Sequence, residues 1–96
     1  MEEKELIKKV QTGSRKHFRQ LVERYGERLM CDAYKYMKNT QDAEDLYQDT
    51  FIKVYENIDS FKFKSQFYTW VYRIMANLAF NKFRKRKKMQ IVDDQD

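Results

Sequence analysis

The chain has no proline, two glycines, one cysteine and one histidine in 96 residues. Without proline nothing forces a kink, and with only Gly13 and Gly26 there is little to mark tight turns or strand ends. Long unbroken helices, and hence an all-α fold, are expected. The single cysteine excludes an internal disulfide and fits a reducing cytosol. Set between Leu29 and Ala33, Cys31 reads as a small core residue. One histidine leaves no ligand cluster for a metal, no glycine-rich loop is present to cradle a phosphate, and His17 has no evident Ser or Cys partner, so no cofactor and no catalysis are expected. No apolar run approaches the roughly 18 residues of a membrane span, and the start, MEEKELIKKV, is charged. These features read as a soluble cytoplasmic protein with no membrane partner.

What the sequence does contain is unevenly placed. Residues 1–60 carry 11 basic against 12 acidic side chains, whereas residues 61–92 carry nine basic and no acidic ones. The net charge of +5 therefore sits in the last third, densest at RKRKK, residues 84–88. A like-charged run is commonly a solvated face, but this one continues an aromatic segment, FKFKSQFYTWVYR, and so points to a polyanion.

Periodicity and punctuation give a compact bundle of three principal helices plus a short N-terminal one. The first helix, about residues 2–11, places Leu6, Ile7 and Val10 together and stops at TGS, with Gly13 as its end and Ser14 as the next N-cap. A second, about 15–38, repeats Phe18, Leu21, Val22, Tyr25, Leu29, Ala33 and Tyr36 at helical spacing. After KNT a third begins, its first turn loaded with Asp42, Glu44 and Asp45, and runs to about Ile58. DSFKFKS, residues 59–65, is the one loop of any length, and a fourth helix starts near Ser65 or Gln66 and continues into the basic block.

Two constellations carry chemistry. On the third helix Ala43, Leu46, Tyr47, Thr50, Phe51, Val54 and Ile58 share the core side, leaving a stripe of Asp45, Gln48, Asp49, Ile52 and Glu56 opposite. An isoleucine centred among carboxylates suits a basic or amphipathic partner helix better than water. On the fourth helix Phe67, Trp70, Val71, Ile74 and Leu78 read as core. The other side shows Thr69, Arg73, Asn77, Phe80 and Arg84, flanked by Tyr68, Tyr72 and Phe83. Cations, an amide and open rings suit unpaired bases. Whether the first two helices cover Phe80 and Phe83 stays open.

The run DAEDLYQDTFIKVYENIDSF followed by SQFYTWVYRIMANLAFNKFRKRKK resembles region 2 of bacterial RNA polymerase sigma factors, in the extracytoplasmic-function (ECF) group. The resemblance spans about residues 5–88. It implies a transcription initiation domain over residues 1–90, with the acidic helix docking on the clamp helices of the RNA polymerase β′ subunit through Asp45, Gln48 and Asp49. Ile52 and Glu56 join that set from the stripe. It also implies that the segment of residues 61–67, with Phe61, Lys62, Phe63, Lys64 and Ser65, captures a base flipped from the non-template strand of the promoter minus-ten element. Asn77 would lie beside that base and Trp70 would support the loop, while Arg73, Lys82, Arg84 and Lys85 are expected from their charge and position to meet phosphates. Such factors can be held by an anti-sigma factor. Relatives commonly have a glycine in this loop where the chain has Phe63 and Lys64, which leaves loop shape and base preference open. Residues 91–96 resemble the start of a linker to a second domain that reads the minus-thirty-five element.

The implied mechanism is binding-driven: capture of unstacked bases and neutralisation of phosphates offset the cost of melting, and salt weakens both. The alternative is a free-standing helical nucleic-acid binder without polymerase contact, for which Asp45, Gln48 and Asp49 are dispensable. A purely protein-binding helical module, its aromatic face covered by a regulator, would show no DNA affinity at moderate salt.

Overall fold

A computed structural model describes the backbone of residues 1–94 and the side chains of residues 1–87. Four α-helices account for most of it: α1 (Glu3–Gln11), α2 (Arg15–Met37), α3 (Thr40–Asn57) and α4 (Phe67–Asp94), with a 3-10 turn at Ile58–Ser60. No strand occurs among the described residues.

The helix ends have local causes. In α1, Glu3 and Glu5 open the helix and Lys8 and Lys9 close it, each sign matched to the dipole end it meets. Gly13 then takes φ 102°, where a side chain would be strained. Its N–H reaches Val10 O at 2.9 Å, and the Ser14 N–H reaches Lys9 O at 3.2 Å. Ser14 caps α2 by accepting from the His17 N–H at 3.3 Å, and its Oγ also lies 2.5 Å from His17 Nδ1. His17 thus does have a serine neighbour, and the contact closes a helix cap. Lys38 turns left-handed at φ 63° to end α2, and Asn39 caps α3 from the next position.

The core is one cluster. Leu6, Ile7 and Val10 of α1, Leu21, Leu29, Ala33 and Met37 of α2, Ala43, Leu46, Phe51 and Val54 of α3, and Phe67, Tyr68, Val71, Met75 and Ala79 of α4 are buried together. Burying each large aliphatic group contributes about 1.5–3 kcal/mol. Thr50, fully buried, satisfies its hydroxyl by donating to Leu46 O at 2.7 Å. Gly26 lies where α2 meets α3, and a Cβ there would sit 2.9 Å from the Tyr47 hydroxyl oxygen. The close approach explains a glycine in mid-helix.

Two features of the fold differ from the sequence expectation. Cys31 is exposed: at about 100° per residue it falls far around α2 from Leu29 and Ala33, although it is their neighbour in sequence. In α4 the core line is Phe67, Val71, Met75 and Ala79, one turn apart, while Trp70, Ile74 and Leu78 pack against it only partly buried. α4 starts at Phe67, with the Trp70 N–H reaching Gln66 O at 3.3 Å. The side chains of residues 91–96, read above as the start of a linker, lie outside the described ones.

Candidate nucleic-acid interface and docking face

The loop is built from its packing outward. Gln11 Nε2 donates to Ile58 O at 2.8 Å and to Phe61 O at 3.0 Å, tying α1 to the turn that feeds the loop. Phe61 is buried, with ring centroids 5.4 Å from Phe67, 5.3 Å from Trp70 and 4.9 Å from Phe63. It supports the loop, together with the half-buried Trp70, and does not offer an open face. Phe63 takes φ 59°, in the region that glycine suits. Lys62 and Lys64 are exposed and Ser65 half-buried.

Tyr68, read from sequence as a flanking open ring, is likewise buried. Its hydroxyl donates to Asp32 Oδ2 at 2.6 Å, and the Arg28 guanidinium lies 4.0 Å from its ring centroid. Burial and the Asp32 carboxylate push the phenol well above its usual value. A covered, hydrogen-bonded ring has no face left for a base. Tyr72 is partly exposed and donates to Tyr36 at 3.2 Å, which raises its pKa, with burial adding to the shift.

Past these rings α4 presents its outer side. Thr69, Arg73, Asn77, Phe80, Phe83, Arg84 and Lys85 are all exposed, Phe80 at 60%. The open question about Phe80 and Phe83 resolves to exposure, and the Arg84 guanidinium lies 5.6 Å from the Phe80 centroid. Asn77 lines a cavity of about 350 Å³ between α4 and the end of α3, walled by Trp70, Ile74 and Leu78 and rimmed by Lys53, Asn57, Ser60 and Asn81. Asn81 and Asn57 went unnoticed in the sequence. Asn81 follows Asn77 by one helical turn, a spacing that could have flagged it.

On α3, Asp45, Gln48, Ile52 and Glu56 are exposed, Ile52 at 57%, as the stripe predicted. Ile52 also borders an apolar groove of about 680 Å³ shared with Phe18, Val22, Phe51 and Tyr55. Asp49 differs, because its carboxylate holds Lys82 Nζ at 2.9 Å. A turn further along α4, Arg86 meets Asp42 at 2.6 Å. Asn39 first, and Arg86 second, hold the Asp42 carboxyl below the usual range. The basic end of α4 is therefore pinned along the acidic start of α3, and Lys82, expected to be a phosphate contact, is engaged within the domain.

The chain is similar to known proteins over most of its length. The sigma-70 region 2 family matches residues 21–89. The ECF sigma factor SigW of Bacillus subtilis is 38% identical over 90 residues, covering 94% of this chain and 48% of its own length. The ECF sigma-E factor of Haemophilus influenzae is 42% identical over 76 residues, covering 79% of this chain and 40% of its own. The chain thus spans about half or less of the curated relatives it matches. Among solved structures, an engineered region 2 of sigmaE in complex with GTAAAA superposes with a TM-score of 0.80 at 34% identity, covering 93% of this chain and 97% of that one. CnrH in complex with the cytosolic domain of CnrY gives 0.72 at 28% identity, covering 92% and 58%. The chain belongs to the sigma-70 region 2 family, in its extracytoplasmic-function group.

Proposed function

We propose that this domain docks on core RNA polymerase and recognises and helps open the promoter minus-ten element. Asn77 carries the reading: an exposed amide on a cavity walled by Trp70, with the open Phe80 ring and the Arg73 and Arg84 guanidiniums on the same helix. An amide can donate to and accept from a base edge, the cavity suits a base taken out of its stack, and the cations neutralise the backbone beside it. The complex of the similar engineered sigmaE region 2 with GTAAAA supports DNA as the ligand.

Docking falls to α3. Asp45, Gln48, Ile52 and Glu56 offer carboxylates around an exposed apolar residue, which suits the clamp helices of the β′ subunit. No bond is made or broken, since the work is done by binding in the cytoplasm alongside polymerase. An anti-sigma factor is a further partner of this reading, supported by CnrH being held with the cytosolic domain of a second protein.

The test is a titration of the domain against a β′ clamp-helix fragment. Asp45→Arg is the clean probe, because Asp49→Arg also disturbs Lys82. Saturable binding weakened tenfold or more by Asp45→Arg, at unchanged helicity, is expected at about the cost of one interfacial contact. Binding indifferent to Asp45→Arg sinks the docking assignment and leaves the free-standing nucleic-acid binder.

A further inference from the structure

Two cavities lie near the loop of residues 61–66, and loop residues line only one of them. The first is the Asn77 cavity. The second, of about 450 Å³, lies between the loop, α1 and α2. The two share no lining residue. Phe61 borders the second and Trp70 the first, with centroids 5.3 Å apart, so packed rings stand between them.

We propose that the second cavity holds one unpaired nucleotide of the same DNA strand that engages the Asn77 side, with Glu3 reading its base. The proposal rests on the nucleic-acid reading above and adds a second pocket to it. The volume lies in the range of small-ligand sites, about 300–1,000 Å³. Phe63 and Phe67 supply apolar ring surface. Two cations stand over rings on its border: Arg28 on Tyr68 at 4.0 Å and Lys4 on Phe63 at 5.6 Å from the centroids. Among the described residues neither is in an ion pair. A guanidinium or ammonium held this way keeps its N–H groups for a phosphate.

Glu3 supplies the selectivity. The Tyr25 hydroxyl donates to its Oε1, and Arg24 lies 3.6 Å from the same oxygen, which fixes the carboxylate at the cavity. A carboxylate accepts hydrogen bonds, so it takes a base with an exocyclic amino group, adenine, cytosine or guanine, in preference to thymine. Phe63 adds a strained position on the cavity wall. Its φ of 59° is strained for a ring-bearing residue, and such strain persists where the surrounding structure enforces it and tends to mark ligand clamps.

The experiment is fluorescence anisotropy of the chain with single-stranded GTAAAA and its single-base replacements at fixed salt. Arg28→Met and Phe63→Gly should each weaken the hexanucleotide about fivefold or more, the low end for losing a stacked base, at unchanged helicity. Phe63→Gly relieves the backbone but gives up the ring's packing on Phe61, so its melting temperature is measured beside its affinity. In the wild type, exchanging adenine for thymine should weaken binding at one position by contact with Glu3 and at another by contact with Asn77. Glu3→Gln should level the first and Asn77→Ala the second. Affinity unchanged in both Arg28→Met and Phe63→Gly, or no position levelled by Glu3→Gln, overturns the second pocket and leaves the Asn77 site standing. No binding of any strand by the wild type overturns both readings together.

Discussion

Lys82 Nζ lies 2.9 Å from Asp49 Oδ2, joining a residue of the α4 basic end to one of the α3 stripe. One carboxylate of the α3 stripe thus restrains a cation of the basic end, so anything that takes Asp49 releases Lys82. Asp49→Asn should therefore tighten single-stranded DNA two- to threefold or so, and should steepen the fall of affinity with salt, because one more cation reaches phosphate. Both partners are partly exposed, so stability should change by no more than about 1 kcal/mol. Anisotropy against salt, with Lys82→Met as the control that removes the gain, checks it.

Tyr25 gives an alkaline prediction. Burial first, and its hydrogen bond to Glu3 second, raise the phenol from 10.0 to about 12. A folded-state pKa above the unfolded one favours the protonated phenol in the fold. That stabilisation is complete below pH 10.0 and is lost as pH rises to about 12. Melting temperature should fall across this window, and less steeply in Tyr25→Phe. Tyrosinate absorbance in the folded chain should show one more late-titrating phenol than in the variant, which keeps Tyr68 and Tyr72.

Gly26→Ala sets two effects against each other. Alanine favours a helix interior by about 1 kcal/mol over glycine, but its Cβ would meet the Tyr47 oxygen at 2.9 Å, with the next ring carbon at 3.9 Å. Removing that oxygen removes the clash. Gly26→Ala should therefore stabilise the chain by about 0.5–1 kcal/mol in a Tyr47→Phe background and by less, or not at all, in the wild type. Thermal melts of the four variants in the cycle measure the difference.

The four helices were legible because apolar spacing, the Gly13–Ser14 break and the KNT break agree with one another. The α3 stripe was legible for the same reason, since one face is plainly apolar and the other plainly charged. α4 was harder. Trp70, Ile74 and Leu78 flank one side of its core line and Tyr72 the other, so spacing alone admits a core line rotated from the true one. Packing against α2 and α3 chooses Met75 and Ala79. Cys31 misled because sequence neighbours on a helix point apart. The Lys82–Asp49 pair joins residues 33 apart, and Glu3, Lys4 and Arg28 meet the loop only in the tertiary fold, so neither left a local signal.

Met75 tests that corrected core line. It is fully buried, and Met75→Ala should cost about 2–5 kcal/mol through lost burial and the cavity left behind. Ile74, only partly buried, should cost clearly less on the same change. A chemical denaturation series comparing the two ranks them directly. Equal losses would contradict this rotation of α4.

Ile52 separates fold from docking. At 57% exposure it contributes little to the core, so Ile52→Ser should shift stability by no more than about 0.5 kcal/mol. If α3 meets a partner helix, the same residue becomes the buried apolar centre of a ring of carboxylates, where truncation costs upward of about 1 kcal/mol of binding. Clamp-fragment affinity should then fall about fivefold or more while the melting temperature holds, whereas single-stranded DNA affinity stays put. A variant that binds the clamp fragment normally would move the partner's apolar contact elsewhere on the domain, and the groove formed by Phe18, Val22 and Tyr55 beside Ile52 would be the next surface to probe.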